Sequence, residues 1–243
     1  MKLSNRLEMV ISFVKAGTSA ADIGTDHGHV PVELVRRGIV TRAYAMDVRK
    51  GPLSKAEENV AAAGLKEKIE TRLSDGVAKL RAGEAETVII AGMGGELVIH
   101  IMEDGRHVWD TVDQWVLSPH SELHKVREWL ERMGFVIAKE DMLFEEGKFY
   151  TIMDVRKGPD FGTEKAPASA AVDPEKDKNY RYGTYLRAQK SQVFKDYLKD
   201  EEEKLLSLKT NLEKQAVHSE RAKESLMEVE EKLSINREVQ HEM

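Results

Sequence analysis

The chain has 243 residues, a formal net charge of −6, 41% hydrophobic and 33% charged residues, and no cysteine. Disulfides, thiolate metal sites and cysteine nucleophiles are thereby excluded, and the length allows one or two domains. Acid exceeds base both in the first two thirds and in the remainder. Neither part is a basic module, so any nucleic-acid contact has to come from a local patch of Lys and Arg.

Residues 3–16 place Leu3, Leu7, Val10, Ile11 and Val14 at helical spacing behind a Ser4 cap. Arg6, Glu8 and Lys15 interrupt the apolar residues, so this is an amphipathic helix, not a secretory signal. No apolar run approaches membrane-spanning length, and a cytoplasmic protein is expected. A strand follows at 19–23 and a helix at 29–38, ended by Gly38. The pattern then predicts a strand at 42–47, a helix between Gly51 and Gly64, strands at 69–75 and 87–95, and a helix from Glu96. A strand at 114–119, a helix from His120 to Gly134, and a hairpin over 135–157 turning at Glu146-Gly147 complete the first part. Strands alternating with helices imply parallel βαβ units, and the closing hairpin implies an antiparallel edge.

Residues 158–174 are rich in Gly, Pro, Ala and Asp and read as a linker. Beyond it, Leu186, Val193, Tyr197, Leu205, Leu208 and Leu212, then Leu226, Val229 and Leu233, recur among Lys and Glu. Two long helices folding back around Gln215–Ser219 are expected, as an antiparallel coiled-coil hairpin. The division is therefore 1–157, a linker at 158–174, and a helical domain at 175–243. Most of the charged residues of that domain read as a solvated face.

The chemistry concentrates at strand ends. Ser19–Pro31, SAADIGTDHGHVP, is a short strand, a turn holding Gly24, Thr25, Asp26, His27 and Gly28, and a helix start. Ligands of open α/β sheets sit at such carboxyl ends. The spacing is not the G-x-G-x-x-G of dinucleotide sites, and Asp22 and Asp26 would repel a pyrophosphate. They suit a sulfonium, which points to S-adenosyl-L-methionine. Asp47 ends the second strand, where a carboxylate accepts from ribose hydroxyls. Asp75-Gly76 ends the third, where a carboxylate can bond an adenine amino group. Gly92-Met93-Gly94-Gly95 ends the fourth and opens the backbone to a methyl donor and an incoming base.

These segments together, DIGTDHGHVP with LSNRL upstream, MDV, LSDG and AGMGGE, resemble the bacterial tRNA (adenine-N1)-methyltransferases that modify adenine 22. That family belongs to the class I, Rossmann-like S-adenosylmethionine-dependent methyltransferases and carries a C-terminal coiled coil. The resemblance implies an α/β fold with a mostly parallel sheet plus a helical hairpin. It implies Asp22, Gly24, Thr25, Asp26 and Gly28 around the methionine part of the cofactor, Asp47 at the ribose, and Asp75 and Gly76 at the adenine, with Gly92 beside them. Related enzymes place an Asn/Asp-Pro-Pro-Tyr motif where this chain has Gly92–Gly95. Here both the acidic residue and the aromatic are missing.

The expected reaction is in-line attack of adenine N1 on the sulfonium methyl, promoted by positioning. Asp26, His27, Gly92, Met93 and Gly94 are the residues assigned to the polar contacts. N1 is hidden in a base pair, so the base has to be unpaired or extruded. Arg6, Arg36, Arg49, Lys50 and His120 are assigned to tRNA, with Arg37, Arg42 and Lys55 as further basic residues nearby. In the tail Lys190, Lys195, Lys199, Arg221 and Lys223 are interleaved with acids. His120 and His124 have the spacing of a helical metal pair but no third ligand, and no metal is expected. A monomer or weak homodimer is expected. A methyltransferase acting on a small molecule or protein, and a non-catalytic coiled-coil protein, are the competing readings.

Overall fold

The computed structural model describes residues 3–164, 173–216 and 219–243. The chain divides into two compact units, Met1–Ala170 and Ala171–Met243. The first is built on a seven-stranded sheet of order β3-β2-β1-β4-β5-β7-β6. Its strands are β1 (Ser19–Ile23), β2 (Arg42–Asp47), β3 (Ile69–Leu73), β4 (Thr87–Met93), β5 (Gln114–Pro119), β6 (Phe135–Glu145) and β7 (Lys148–Lys157). The first five pair in parallel, while β7 runs antiparallel to both β5 and β6.

Helices cover both faces, and the apolar residues of each central strand divide between them. Val88 and Ile90 join Ile23, Met46 and Leu117 under α4 (Gly95–Asp104) and α5 (Leu123–Arg132). Ile89 joins Ala20, Ala43 and Val116 under α1 (Asn5–Phe13), α2 (His29–Arg36) and α3 (Lys50–Ala62). Burial on both faces is why these strands read as continuous apolar runs rather than alternating ones. Leu34 is fully buried in the second layer, and truncating such a side chain to Ala costs about 2–5 kcal/mol. Among the described residues no helix is long and apolar enough to cross a membrane.

The hairpin turns where its sequence predicts. Glu146 and Gly147 both take positive φ, 48° and 77°, the conformation that a tight two-residue turn between twisted strands requires. Residues 158–164 depart from the expected linker. Phe161 packs on Trp109 and Phe135 at ring centroid distances of 5.8 and 5.0 Å, and Gly158 donates its N–H to the Gly134 carbonyl. One aromatic residue with a cluster to join is enough to hold this stretch against the sheet unit despite its Gly and Pro. Residues 165–172 of that linker lie outside the described residues.

The second unit begins earlier than its apolar pattern suggests. Asp173 caps α6 (Pro174–Tyr182), and Gly183 separates it from α7 (Thr184–Gln189). The long helices are α8 (Gln192–Ala216) and α9 (Glu220–His241). Hydrogen bonds between residues 198 and 236, and ion pairs between 202 and 237 and between 209 and 230, make them antiparallel. The seam uses Phe194 and Leu198, both fully buried, rather than Val193 and Tyr197, and Leu208 is exposed. The larger ring and the aliphatic side chain one position along bury more apolar surface. Of the expected turn, residues 217–218 lie outside the described residues.

Candidate active site

The carboxyl ends of the parallel strands lie along one edge of the sheet. Register sets Ile23 against Met46 and Ile90, Asp47 against Leu73, and Met93 against Pro119. Strand order reverses between β1 and β4, since the chain runs outward through β2 and β3 and then crosses to β4. A crevice at such a reversal is where open α/β sheets bind ligands. The sequence-assigned loops of β1 and β4 flank it.

Two carboxylates are buried here. Asp22, on β1, is 7% exposed. Burial pushes its carboxyl up to about 6; the Thr25 hydroxyl partly offsets this, and the carboxylates of Asp26 and Asp47 add to it. Asp47, ending β2, is 4% exposed. Its Oδ1 accepts the Arg49 backbone N–H at 2.6 Å, and among the described residues its second oxygen accepts no hydrogen bond. Next to it Val48 is 60% exposed, an apolar residue at the edge that the motif reading passed over. The Asp75 carboxylate, at the end of β3, is exposed and makes no side-chain hydrogen bond or ion pair among the described residues.

The glycines divide by cause. Gly24 has φ 72°, and a Cβ there would collide with the Met93 methyl. Met93 therefore packs across the reversal point onto Gly24, which assigns it to the floor of the crevice. Gly28 has φ 69° and starts α2 against α3, where a Cβ would stand 3.1 Å from that of Ala56. Gly76 lies against Ile101 of α4, so it serves close packing as well as the turn. Gly92, with φ 85°, is exposed and faces Arg6 Nη1 and His120 Nε2, which would lie 3.4 and 3.6 Å from a Cβ there.

Asp26 and His27 stand out from the loop above β1. The His27 Nε2 lies 3.2 Å from Asp26 Oδ1, and the Asp26 side chain is 86% exposed. His27, with φ 61°, stacks on His29 at 5.6 Å. Asn59 of α3 donates to its carbonyl and fixes the loop.

Distant segments build the far wall of the crevice. The N–H of His120, just past β5, donates to the Met93 carbonyl at 2.8 Å. Its ring meets Tyr150 of β7 edge-on at 5.8 Å. The Arg6 guanidinium lies 5.2 Å over the Tyr150 ring. Glu145, at the end of β6, accepts the backbone N–H groups of Asn5 and Arg6 at 2.7 and 3.1 Å. Burial first, then the positive charges of Arg6 and Lys148, hold the His120 imidazole below its ordinary pKa. Tyr150, Glu145 and Lys148 carry no local motif, and only the period of the strand pattern marks them.

Other assignments change. The helix expected from His120 begins at Leu123, because Glu122 takes φ 49° and turns the chain. His120 and His124 therefore do not share a helical face. Glu122 instead accepts the Gly95 N–H at 3.2 Å at the start of α4. Among the basic residues, Arg42 begins β2 at the opposite edge and pairs with Glu70, while Arg37 is held by Glu8 and Glu33. Arg36 pairs with Glu33. Arg49, 75% exposed, and Lys50, the first residue of α3, stay at the carboxyl edge beside Asp47. A cavity of about 620 Å³ opens at the amino edge, but its Arg42 and Arg72 are already paired with Glu70 and Glu84. Among the described residues no group of His, Asp and Glu side chains is arranged to hold a metal.

A methyltransferase-domain family model matches residues 3–153. The chain is 30% identical to the tRNA (adenine(22)-N(1))-methyltransferase of Bacillus subtilis over 98% of its own length and 97% of that protein. Among solved structures, the Bacillus subtilis m1A22 tRNA methyltransferase superposes with a TM-score of 0.83 at 29% identity, covering 98% of this chain and 99% of that one. A Streptococcus pneumoniae protein solved in complex with S-adenosyl-L-methionine gives a TM-score of 0.82 at 36% identity, covering 99% and 100%.

Proposed function

The chain belongs to the family of tRNA (adenine(22)-N(1))-methyltransferases, and from that premise we propose that it methylates N1 of adenine 22 in tRNA with S-adenosyl-L-methionine. The observation that carries the reading is the pair of buried carboxylates, Asp22 and Asp47, at the ends of adjacent strands beside the reversal point. A buried carboxylate needs a partner; among the described residues no Arg or Lys pairs with Asp22, and Asp47 has only the exposed Arg49, whose Nε lies 3.6 Å from its Oδ1. A ribose diol offers two donors for the open oxygen of Asp47. A cation near Asp22 would relieve the burial that raises its pKa. The donor set thus fits a ligand with a positive centre and a ribose, and does not fit a pyrophosphate.

When bound, the cofactor supplies an electrophilic methyl carbon on sulfur, to which adenine N1 donates its lone pair. N1 is unprotonated in the neutral base, so no residue has to remove a proton first. The protein's task is to orient the base, exclude water and tolerate the positive charge of the product. Asp22 and Asp47 hold the cofactor with the backbone of Gly24 and the exposed Asp75. Val48, exposed next to Asp47, is assigned to the apolar face of the cofactor's adenine. The exposed Asp26 and the backbone carbonyls of Gly92 and Gly94 are the groups assigned to the developing cation. His27 positions Asp26 through their 3.2 Å side-chain contact.

Arg6, Arg49 and Lys50 at the same edge are assigned to tRNA phosphates, in keeping with an acidic protein that binds RNA through a local patch. On this reading the protein acts in the cytoplasm, without a metal, as a monomer or weak homodimer, and the helical unit contributes to tRNA binding. The test is nucleoside mass spectrometry of unmodified tRNA incubated with protein and methyl donor. One methyl group per tRNA on N1 of adenine 22 is expected, and its absence from a preparation that binds the cofactor overturns the reading.

A further inference from the structure

An adenine held for attack needs a surface under its face, and the Gly92–Gly95 segment offers none, since Gly-Met-Gly-Gly carries no ring. The fold brings rings to that point from elsewhere. Strand register pairs Leu117 with Met153, so Tyr150 of β7 is level with His120 just beyond β5. The two rings meet edge-on at 5.8 Å with an interplanar angle of 64°. Arg6 lies over one face of Tyr150, and Tyr150 packs against the apolar layer beneath it. The ring left exposed is that of His120. It looks across Gly92, where a side chain is absent and a Cβ would stand only 3.6 Å from Nε2.

We propose that the His120 ring stacks on the target adenine, with Tyr150 as the positioning residue that holds it, so that the aromatic partner of the base comes from β5 and β7 instead of the loop after β4. The inference rests on the methyltransferase reading above. Stacking suits this place for a second reason. Burial, Arg6 and Lys148 keep the imidazole neutral, so it does not oppose a sulfonium or the cationic product. Stacking on an aromatic ring is indifferent to hydrogen-bond pattern, and its loss on substitution weakens binding by roughly five- to a hundredfold per base.

The test uses the full chain, an unmodified tRNA transcript and steady-state methylation kinetics, with affinity for S-adenosyl-L-homocysteine measured separately by calorimetry. His120→Asn keeps a hydrogen-bonding group and removes the ring, and kcat/KM for tRNA is expected to fall roughly ten- to a hundredfold. His120→Phe keeps a ring without the nitrogens and is expected to recover to within about threefold of wild type. Tyr150→Leu is expected to fall into the range of His120→Asn and to add little to it in the double variant, as coupled positions do. Cofactor-product affinity separates these losses from a damaged cofactor site. Full activity in His120→Asn, or loss in His120→Phe with retention in His120→Asn, overturns the inference while leaving the methyltransferase reading intact. Wild-type protein that binds the cofactor product but methylates no adenine overturns both.

Discussion

Asp22 is set between two demands. Its backbone belongs to a buried strand and its carboxyl is assigned to a cation, so in the free protein its desolvation is offset only in part, by the Thr25 hydroxyl. Its carboxyl titrates at about 6 in the fold, against about 4 in an unfolded chain. Between those values the native state binds the extra proton, so stability falls as pH rises through that window, and by pH 7 the cost is about 3 kcal/mol. Asp22→Asn removes the charge at constant shape. It is expected to stabilise the free protein at pH 7 by about 1–3 kcal/mol, to flatten the decline between pH 4 and 6, and to weaken S-adenosyl-L-methionine binding at least about tenfold. Thermal melts across pH and calorimetry read these effects. A variant that melts no higher than wild type at pH 7 would show that the carboxylate is already neutralised by the fold.

At the scale of elements, the β6–β7 hairpin does more than close the sheet. Its tip reaches past the end of β5, and Glu145 there accepts the first two N–H groups of α1, groups that a helix cannot satisfy for itself. Ser4 caps the same turn through the Leu7 N–H at 3.3 Å. A carboxylate at a helix start also meets the positive end of the helix dipole. The hairpin thereby positions Arg6, and through Arg6 the Tyr150 ring. Glu145→Ala is expected to cost about 1–2 kcal/mol and to speed amide exchange in the first turn of α1. Glu145→Gln, which keeps an acceptor, is expected to lose less than half as much. Unchanged exchange in the Ala variant would show that Ser4 alone holds the helix start. In the second unit, fully buried Asn236 bonds the Leu198 carbonyl and Glu201, which also accepts from Tyr182. One satisfied polar group in an apolar seam penalises slipped alignments, and it lets a short helical hairpin keep a single register.

For the whole molecule the net charge is unfavourable to RNA, and the balance falls to position. Arg37, Arg42 and Arg72 are occupied by carboxylates. Arg49, though it reaches Asp47 at 3.6 Å, is 75% exposed, and Lys50 is exposed beside it, at the site's own edge. The double variant Arg49→Glu, Lys50→Glu is expected to weaken tRNA binding and to lower the slope of log affinity against log salt by roughly 1–2, as lost phosphate contacts do. Binding that keeps its full salt slope would move the RNA to another face.

Much of this architecture was legible along the chain because its causes are local. Apolar runs bounded by glycine, Pro52 in the first turn of α3, the Glu146-Gly147 turn and the carboxylates closing β1 and β2 each answer to neighbours within a few residues. The family resemblance rests on those same loops. Other features depend on contacts between segments well separated along the chain, which no local pattern records. They include the meeting of Arg6, His120 and Tyr150, the cap that Glu145 gives to α1, the use of Gly24 as a seat for Met93 and of Gly28 for α3, and the docking of Phe161. Local chemistry therefore singled out the loops that flank the crevice, whereas the pairing of β7 with β5 decided which rings stand beside Gly92.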